Sequence, residues 1–313
     1  MYGALKIFGG RAHPALTAEI CEYLNLPVGQ LVCFDFSDGE TFFQVDENVR
    51  GVDVFVIQPT CPPVNNNLVE LLVMIDAFKR SSATRITAVV PYYGYGRQDK
   101  KDKPRVPVTA KLVADLIAKA GADRVLTMDL HAAQVAGFFD MPVDHLFAAP
   151  VLLDAIRDMD IPDLIIVSPD AGGVARARAI AKRLDVDLAI VDKRRVATNE
   201  AEVMNVIGDV KGRDVLIVDD IIDTAGTIVK TVEALDEQGA GRIFAAGVHG
   251  ILSGPAISRI DDSALERVLL TNTTPVEEKL EKSDKLSALT VAPILGEAIR
   301  RIHDNSSVTA LFV

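Results

Sequence analysis

The sequence predicts an α/β fold of two similar domains, each a mainly parallel sheet flanked by helices. Three observations carry this. Seven short apolar runs, at 52–57, 86–90, 125–128, 164–167, 188–191, 215–218 and 243–248, mostly do not alternate with polar residues. Strands buried on both faces read this way, as in parallel sheets covered by helices. Amphipathic segments separate the runs, the alternation of an α/β protein. One arrangement also recurs three times, at 125–131, 165–173 and 215–227: an apolar run, an acid, a small-residue loop, then a helix. A boundary is expected near Pro150, giving domains at 1–149 and 150–304, with the tail 305–313 packing on the first.

Taken in order, the run at 52–57 precedes a helix with Leu68, Leu71, Leu72, Ile75 and Phe78 on one face. The run at 86–90 precedes a second, with Leu112, Val113, Leu116, Ile117 and Ala120 on one face, Thr109 as N-cap and Gly121 as stop. The run at 215–218 holds four branched apolar residues and ends in Asp219 and Asp220; a helix is expected over 228–235.

At 313 residues there is room for two domains of ordinary size, and 49% hydrophobic content argues for a folded protein. Acids outnumber bases 44 to 33, so the net charge is -11, against non-specific nucleic-acid binding. Three widely spaced cysteines, Cys21, Cys33 and Cys61, suggest neither a disulfide framework nor a zinc cluster, and a reducing cytoplasm is the natural setting. The N-terminus lacks a signal-peptide layout, and no apolar run approaches the roughly 18–20 residues that span a membrane.

The candidate site residues cluster at loops that follow strands. Asp219, Asp220, Asp223, Thr224, Ala225, Gly226 and Thr227 exceed what an N-cap needs. Carboxylates accept hydrogen bonds from sugar hydroxyls, and free N–H groups at a helix start hold a phosphate, so the loop suits a phosphorylated sugar. It is not a Walker A loop, which needs Gly-Lys-Ser/Thr. Arg97 and Gln98 follow Gly-Tyr-Gly at another strand end, where a guanidinium can grip phosphate oxygens in pairs; the neighbouring lysines read as a solvated loop. His131, beside Asp129, and Asp170, before Gly172 and Gly173, are candidate metal residues. Magnesium prefers oxygen ligands, so His131 would act directly or through water. The stretch Asp192-Lys193-Arg194-Arg195 reads either as a charged turn or as a basic loop that closes over phosphates. The turn at 36–40, with Asp38 and Glu40, is weak evidence alone.

Together these segments resemble class I ribose-phosphate diphosphokinases, also called phosphoribosyl diphosphate (PRPP) synthetases. The likeness runs nearly end to end. It includes Phe-Ser-Asp-Gly-Glu (36–40), Pro-Tyr-Tyr-Gly-Tyr-Gly-Arg-Gln-Asp-Lys-Lys-Asp (91–102), Asp-Leu-His-Ala (129–132) and Val-Ser-Pro-Asp-Ala-Gly-Gly (167–173). It continues through Asp-Lys-Arg-Arg (192–195), Val-Asp-Asp-Ile-Ile-Asp-Thr-Ala-Gly-Thr (218–227) and His-Gly-Ile-Leu-Ser-Gly-Pro-Ala-Ile (249–257). The resemblance implies a phosphoribosyltransferase-like fold. It implies transfer of a diphosphoryl group from Mg-ATP to the anomeric hydroxyl of ribose 5-phosphate, giving PRPP and AMP for nucleotide biosynthesis. It implies Mg²⁺ as cofactor, a homo-oligomer, hexameric by resemblance, and neither nucleic acid nor membrane as partner.

By the same resemblance, Asp219 and Asp220 hold the ribose hydroxyls and 223–227 the 5-phosphate. Phe36, Asp38 and Glu40 line the adenosine pocket, and Arg97, Gln98 and Asp99 contact ATP. His131 and Asp170 match metal positions, Lys193 and Arg195 match catalytic cations, and Lys103, Arg105, Ser307 and Thr309 match a regulatory phosphate and ADP site. Gly96, Ala136, Val196 and Thr309 depart from the family's common residues. A phosphoribosyltransferase, which consumes PRPP, is the rival enzyme, and a non-catalytic regulatory subunit the rival of another class. The Arg97–Gln98 and Lys193–Arg195 segments argue against the first, and the presence of every expected catalytic residue against the second.

Overall fold

A computed structural model describes residues 3–194 and 203–311. The chain forms two compact units. The first takes the chain up to Phe147, Thr273–Pro275 and the segment from Thr290 onward; the second takes Ala148–Asn272 and Val276–Leu289.

The first unit runs β1 (Leu5–Gly9), α1 (Pro14–Leu24), β2 (Leu31–Asp35), β3 (Thr41–Val45), β4 (Asp53–Ile57), α2 (Val64–Arg80), β5 (Arg85–Val90), α3 (Thr109–Ala120), β6 (Arg124–Met128) and β7 (Val143–Leu146). Its sheet has the order β1-β4-β5-β6-β7 with every pair parallel. β2 and β3 form a separate antiparallel hairpin. β4 and β5 are buried along their whole length, as their unbroken apolar runs require. α2 packs on β3, β4 and β5; its Phe78 meets Phe8 of β1 at 4.6 Å between ring centroids and Phe43 of β3 at 5.6 Å.

The second unit runs α4 (Ala149–Asp158), β8 (Ile165–Ser168), α5 (Val174–Leu184), β9 (Asp187–Arg194), β10 (Val203–Ile207), β11 (Val215–Ile222), α6 (Gly226–Glu237), β12 (Ile243–Gly250), α7 (Ala256–Asp261), β13 (Leu265–Thr271), α8 (Glu277–Leu280) and β14 (Leu286–Leu289); α9 (Ala292–His303) follows. The sheet order is β10-β9-β8-β11-β12-β13-β14, parallel except for β10 against β9. The order reverses between β8 and β11. In open parallel sheets the carboxyl ends at such a reversal form the ligand crevice, and the loops after these two strands are the acid-bearing ones singled out above.

Each of the seven apolar runs falls in a strand, β4, β5, β6, β8, β9, β11 and β12, with Val52 and Leu164 just ahead of theirs. Two helical details differ. Thr109 is the first helical residue, not the cap, and its hydroxyl donates to Gln98 Oε1 (2.5 Å). The buried stripe of α3 is Ala110, Val113, Ala114 and Ile117, which leaves Leu112 and Leu116 exposed.

The second domain was expected to reach residue 304, yet α9 belongs with the first unit. Its buried stripe, Leu295, Ala298, Ile299 and Ile302, lies on α1. Gly296 permits the close approach, since a Cβ there would stand 2.5 Å from Tyr23 Cδ1. A buried charge cluster closes the far end. Arg85 Nε donates to Asp53 Oδ1 (2.8 Å), Arg85 Nη2 to the Ile302 carbonyl (3.0 Å), and His303 Nδ1 lies 2.7 Å from Asp53 Oδ2.

Asp53 is fully buried, so Asp53→Ala would break a buried ion pair and lower stability by about 3–5 kcal/mol. Breaking the exposed Asp76–Arg80 pair with Arg80→Ala should leave stability nearly unchanged. Urea unfolding of both variants checks the contrast; equal small losses would contradict it.

Candidate functional site

The second unit builds its site where β11 ends. The strand extends past 218 to Ile222, so Asp219 and Asp220 lie within it, and Asp219 pairs with Gly247 of β12. Beyond it the Ile222 carbonyl accepts from Leu252 N (3.0 Å), the Asp223 carbonyl from Ser253 N (2.9 Å) and the Thr224 carbonyl from Arg259 Nη1 (2.9 Å). Ala225, buried and left-handed at φ 57°, turns the chain into α6. Ala225, the N-cap residue, makes no side-chain cap bond, and a helix start with its dipole is a ready anion site.

The acid pair is electrostatically unusual. Asp220 N donates to Asp219 Oδ1 (2.8 Å), and Arg176 Nη1 stands 3.5 Å from Asp220 Oδ1 and 3.8 Å from Asp219 Oδ1. Burial, then the hydrogen bond and charge of Asp220, raise the Asp219 pKa to about 8 against the lowering effect of Arg176. A half-protonated acid pair can both accept from and donate to adjacent hydroxyls. Sequence reasoning missed Arg176. The signal was a cation in the first turn of a helix, against the dipole, where it needs an acid nearby. In the loop after β8, Ser168 Oγ donates to the Asp170 carbonyl (2.7 Å) and Gly173 N to Asp170 Oδ1 (2.8 Å), with the Asp170 side chain exposed.

The first unit gathers a second group of predicted residues. Arg97 and Gln98 line a cavity of about 440 Å³ with Pro63, Asn65, Tyr92 and Tyr95. Gly94 is tied down by its N–H to Thr60 Oγ1 (2.7 Å), and a Cβ there would stand 2.4 Å from the Thr60 carbonyl. Asp99 is buried and accepts from Gln134 Nε2 (2.6 Å), so it braces the loop from within. His131 is exposed beside this loop: a Cβ on Gly96 would lie 3.9 Å from His131 Cβ. The preceding amide, Leu130 N, donates to His145 Nε2 (2.9 Å). Burial lowers the His145 pKa to about 4, so the ring stays neutral and can accept.

Phe36, Asp38 and Glu40 are exposed at the turn of the β2–β3 hairpin, closed by Phe36 N to the Glu40 carbonyl (2.8 Å) and Glu40 N to Asp38 Oδ1 (3.1 Å). Lys103 and Arg105 are exposed between β5 and α3, and Ser307 Oγ donates to Thr309 Oγ1 (3.0 Å). Lys193 pairs with Met204 across β9 and β10, while Arg195 and Val196 lie outside the described residues. His131 belongs to the first unit and Asp170 to the second. Among the described residues no three His, Cys, Asp or Glu side chains converge.

A doubly wound parallel sheet with an acid pair and an open helix start at its reversal point defines an α/β protein suited to phosphorylated sugars. Residues 5–121 match the N-terminal domain of ribose phosphate pyrophosphokinase, and residues 194–313 the phosphoribosyl synthetase-associated domain. A Helicobacter pylori ribose-phosphate pyrophosphokinase is 55% identical over 307 residues, covering 98% of this chain and 96% of the relative. One from Caldanaerobacter subterraneus is 55% identical over 310 residues, covering 99% and 98%. The crystal structure of phosphoribosylpyrophosphate synthetase from Mycobacterium smegmatis superposes with a TM-score of 0.92 at 44% identity, covering 97% of this chain and 100% of that one. The chain belongs to the ribose-phosphate pyrophosphokinase family, the transferases that form PRPP.

The acid pair sets a pH dependence. Folded Asp219 keeps its proton to about pH 8, whereas an unfolded aspartate loses it near pH 4. Between these values the folded state binds more protons, so stability falls as pH rises, by at most about 1.4 kcal/mol per pH unit. Asp219→Asn cannot titrate and should gain on the wild type as pH rises from 5 to 8. Melting temperatures across that range test this, and parallel profiles would refute it.

Proposed function

We propose that this chain transfers the diphosphoryl group of Mg-ATP to the anomeric hydroxyl of ribose 5-phosphate, giving PRPP and AMP. The observation that carries this reading is that one chain holds two dissimilar polar clusters. One is an acid pair with an open helix start, in the second unit. The other is an arginine-lined cavity, in the first. A protein that only consumed PRPP would have no use for a nucleoside triphosphate site besides the sugar-phosphate one.

In this reading Asp219 and Asp220 bind the ribose hydroxyls, and the amides of 223–227 bind the 5-phosphate. Arg97 and Gln98 contact ATP phosphates, and Phe36, Asp38 and Glu40 contact its adenosine. The anomeric oxygen attacks the β-phosphorus; the new O–P bond forms as the bond to the α-phosphate oxygen breaks and AMP leaves. Such a transfer needs positioning and neutralisation of spreading charge more than covalent help. Lys193 and Arg195 supply positive charge. Magnesium, when bound, neutralises phosphate oxygens. The sparse protein donor set suits it, since magnesium keeps its waters and takes one or two carboxylates plus substrate phosphates. Asp170 is the oxygen donor in this reading, and His131 acts through a water. Lys103, Arg105, Ser307 and Thr309 form a regulatory phosphate or ADP site. The working form in this reading is a cytoplasmic homo-oligomer, a hexamer.

Incubation of the purified protein with Mg-ATP should yield AMP and PRPP only when ribose 5-phosphate is added; sugar-independent or absent AMP formation would rule the reaction out. Lys193→Ala should lower turnover on the order of 10²–10³-fold, as removal of one charge-stabilising donor does. Full turnover in that variant would refute its catalytic role while leaving the reaction intact.

A further inference from the structure

The segment 249–257 resembles the family, yet none of its residues contacts a substrate in this reading. The structure places it behind the 222–227 loop. Three successive loop carbonyls, those of Ile222, Asp223 and Thr224, point at it and at α7 just beyond, and accept from Leu252 N (3.0 Å), Ser253 N (2.9 Å) and Arg259 Nη1 (2.9 Å). A trans peptide is planar, so each carbonyl and the following N–H point in opposite directions. Holding these three carbonyls on one side therefore turns the N–H groups of Asp223, Thr224 and Ala225 to the other. A run of amides facing one way is an anion-binding concavity, and it continues into the uncapped start of α6.

The backing segment adopts unusual geometry to do this. Leu252 is buried and left-handed at φ 47°, a conformation that bulky side chains rarely take, and Gly254 follows at φ 56°. Two of the three anchors are backbone groups. The third is the Arg259 side chain, which projects from α7, is otherwise exposed, and lies beside the helix start: a Cβ on Gly226 would stand 3.5 Å from Nη1. We propose that Arg259 is a positioning residue for the sugar phosphate. It acts through the Thr224 carbonyl to keep the loop amides aimed at the 5-phosphate, and adds a positive charge beside them. The proposal rests on reading 219–227 as the ribose 5-phosphate site.

Arg259 contributes little burial, so Arg259→Ala should fold and melt as the wild type does. Its KM for ribose 5-phosphate should rise roughly tenfold or more, as expected for losing a charge-assisted bond, with the KM for ATP changed less than about twofold. Arg259→Lys, which keeps a donor and the charge, should recover part of the loss and remains informative if the alanine variant does not fold. An unchanged sugar-phosphate KM in folded Arg259→Ala, equal rises in both KM values, or a lysine variant no better than alanine would overturn the proposal. Asp219→Asn, measured alongside, separates the two levels. If it weakens sugar-phosphate use while Arg259→Ala does not, only the role of Arg259 fails. If neither does, the reading of the loop fails as well.

Discussion

The candidate site depends on one constraint: a strand that runs directly into a helix must turn its last carbonyls and the helix's first amides to opposite sides. At β11 this is solved by a second segment, since Leu252, Ser253 and Arg259 take the carbonyls of residues 222–224. The carbonyls are thereby satisfied, and planarity turns the following amides the other way. β11 can carry such a turn because it is held on both edges, by β8 and β12 in parallel register, and is buried along its apolar half. The reversal of strand order beside it leaves the turn open where a continuing sheet would cover it.

The first unit shows what happens when the same crevice is filled from within. Val28 bridges Ile7 on one side of β1 while β4 pairs with the other, so a reversal occurs there too. The amides after β1 meet protein acceptors: Arg11 N donates to Glu70 Oε1 (2.6 Å) and Ala12 N to Gln58 Oε1 (3.1 Å). Glu70 is buried, and Gln58 Nε2 and the Arg11 side chain complete its partners. An internal carboxylate thus occupies the position an anionic ligand would take. Arg11 also reaches Asp35 at the end of β2 (2.7 Å), which ties the hairpin to the crevice. The cavity of this unit lies instead at the Arg97 loop, after β5.

What was legible in the sequence follows from the range of each signal. The seven apolar runs were readable because strands buried on both faces need no context. β2 and β3 were not, since a half-exposed hairpin with three phenylalanines facing outward mimics neither strict alternation nor a buried run. The acids of 219–227 announce themselves locally. Arg176, Arg259 and Glu70 do not, because each meets a key partner 35 to 59 positions away. The docking of α9 is more remote still: His303 meets Asp53 across 250 residues, and nothing in the helix's own pattern names the unit that receives it.

Two acid–arginine pairs in the second unit show why the site pair differs from a structural one. Asp214 and Arg242 bond closely, at 3.0 and 2.6 Å, and the guanidinium holds the Asp214 carboxyl below its usual pKa. Its acceptor sites are consumed and its charge is settled. Arg176 stops at 3.5 and 3.8 Å from the Asp220 and Asp219 oxygens, so attraction there is mainly Coulombic and directed bonds are lacking. That charge is enough to offset part of the burial, yet leaves Asp219 raised. Arg176 thus leaves the acid pair less tightly bound by arginine than Asp214 is.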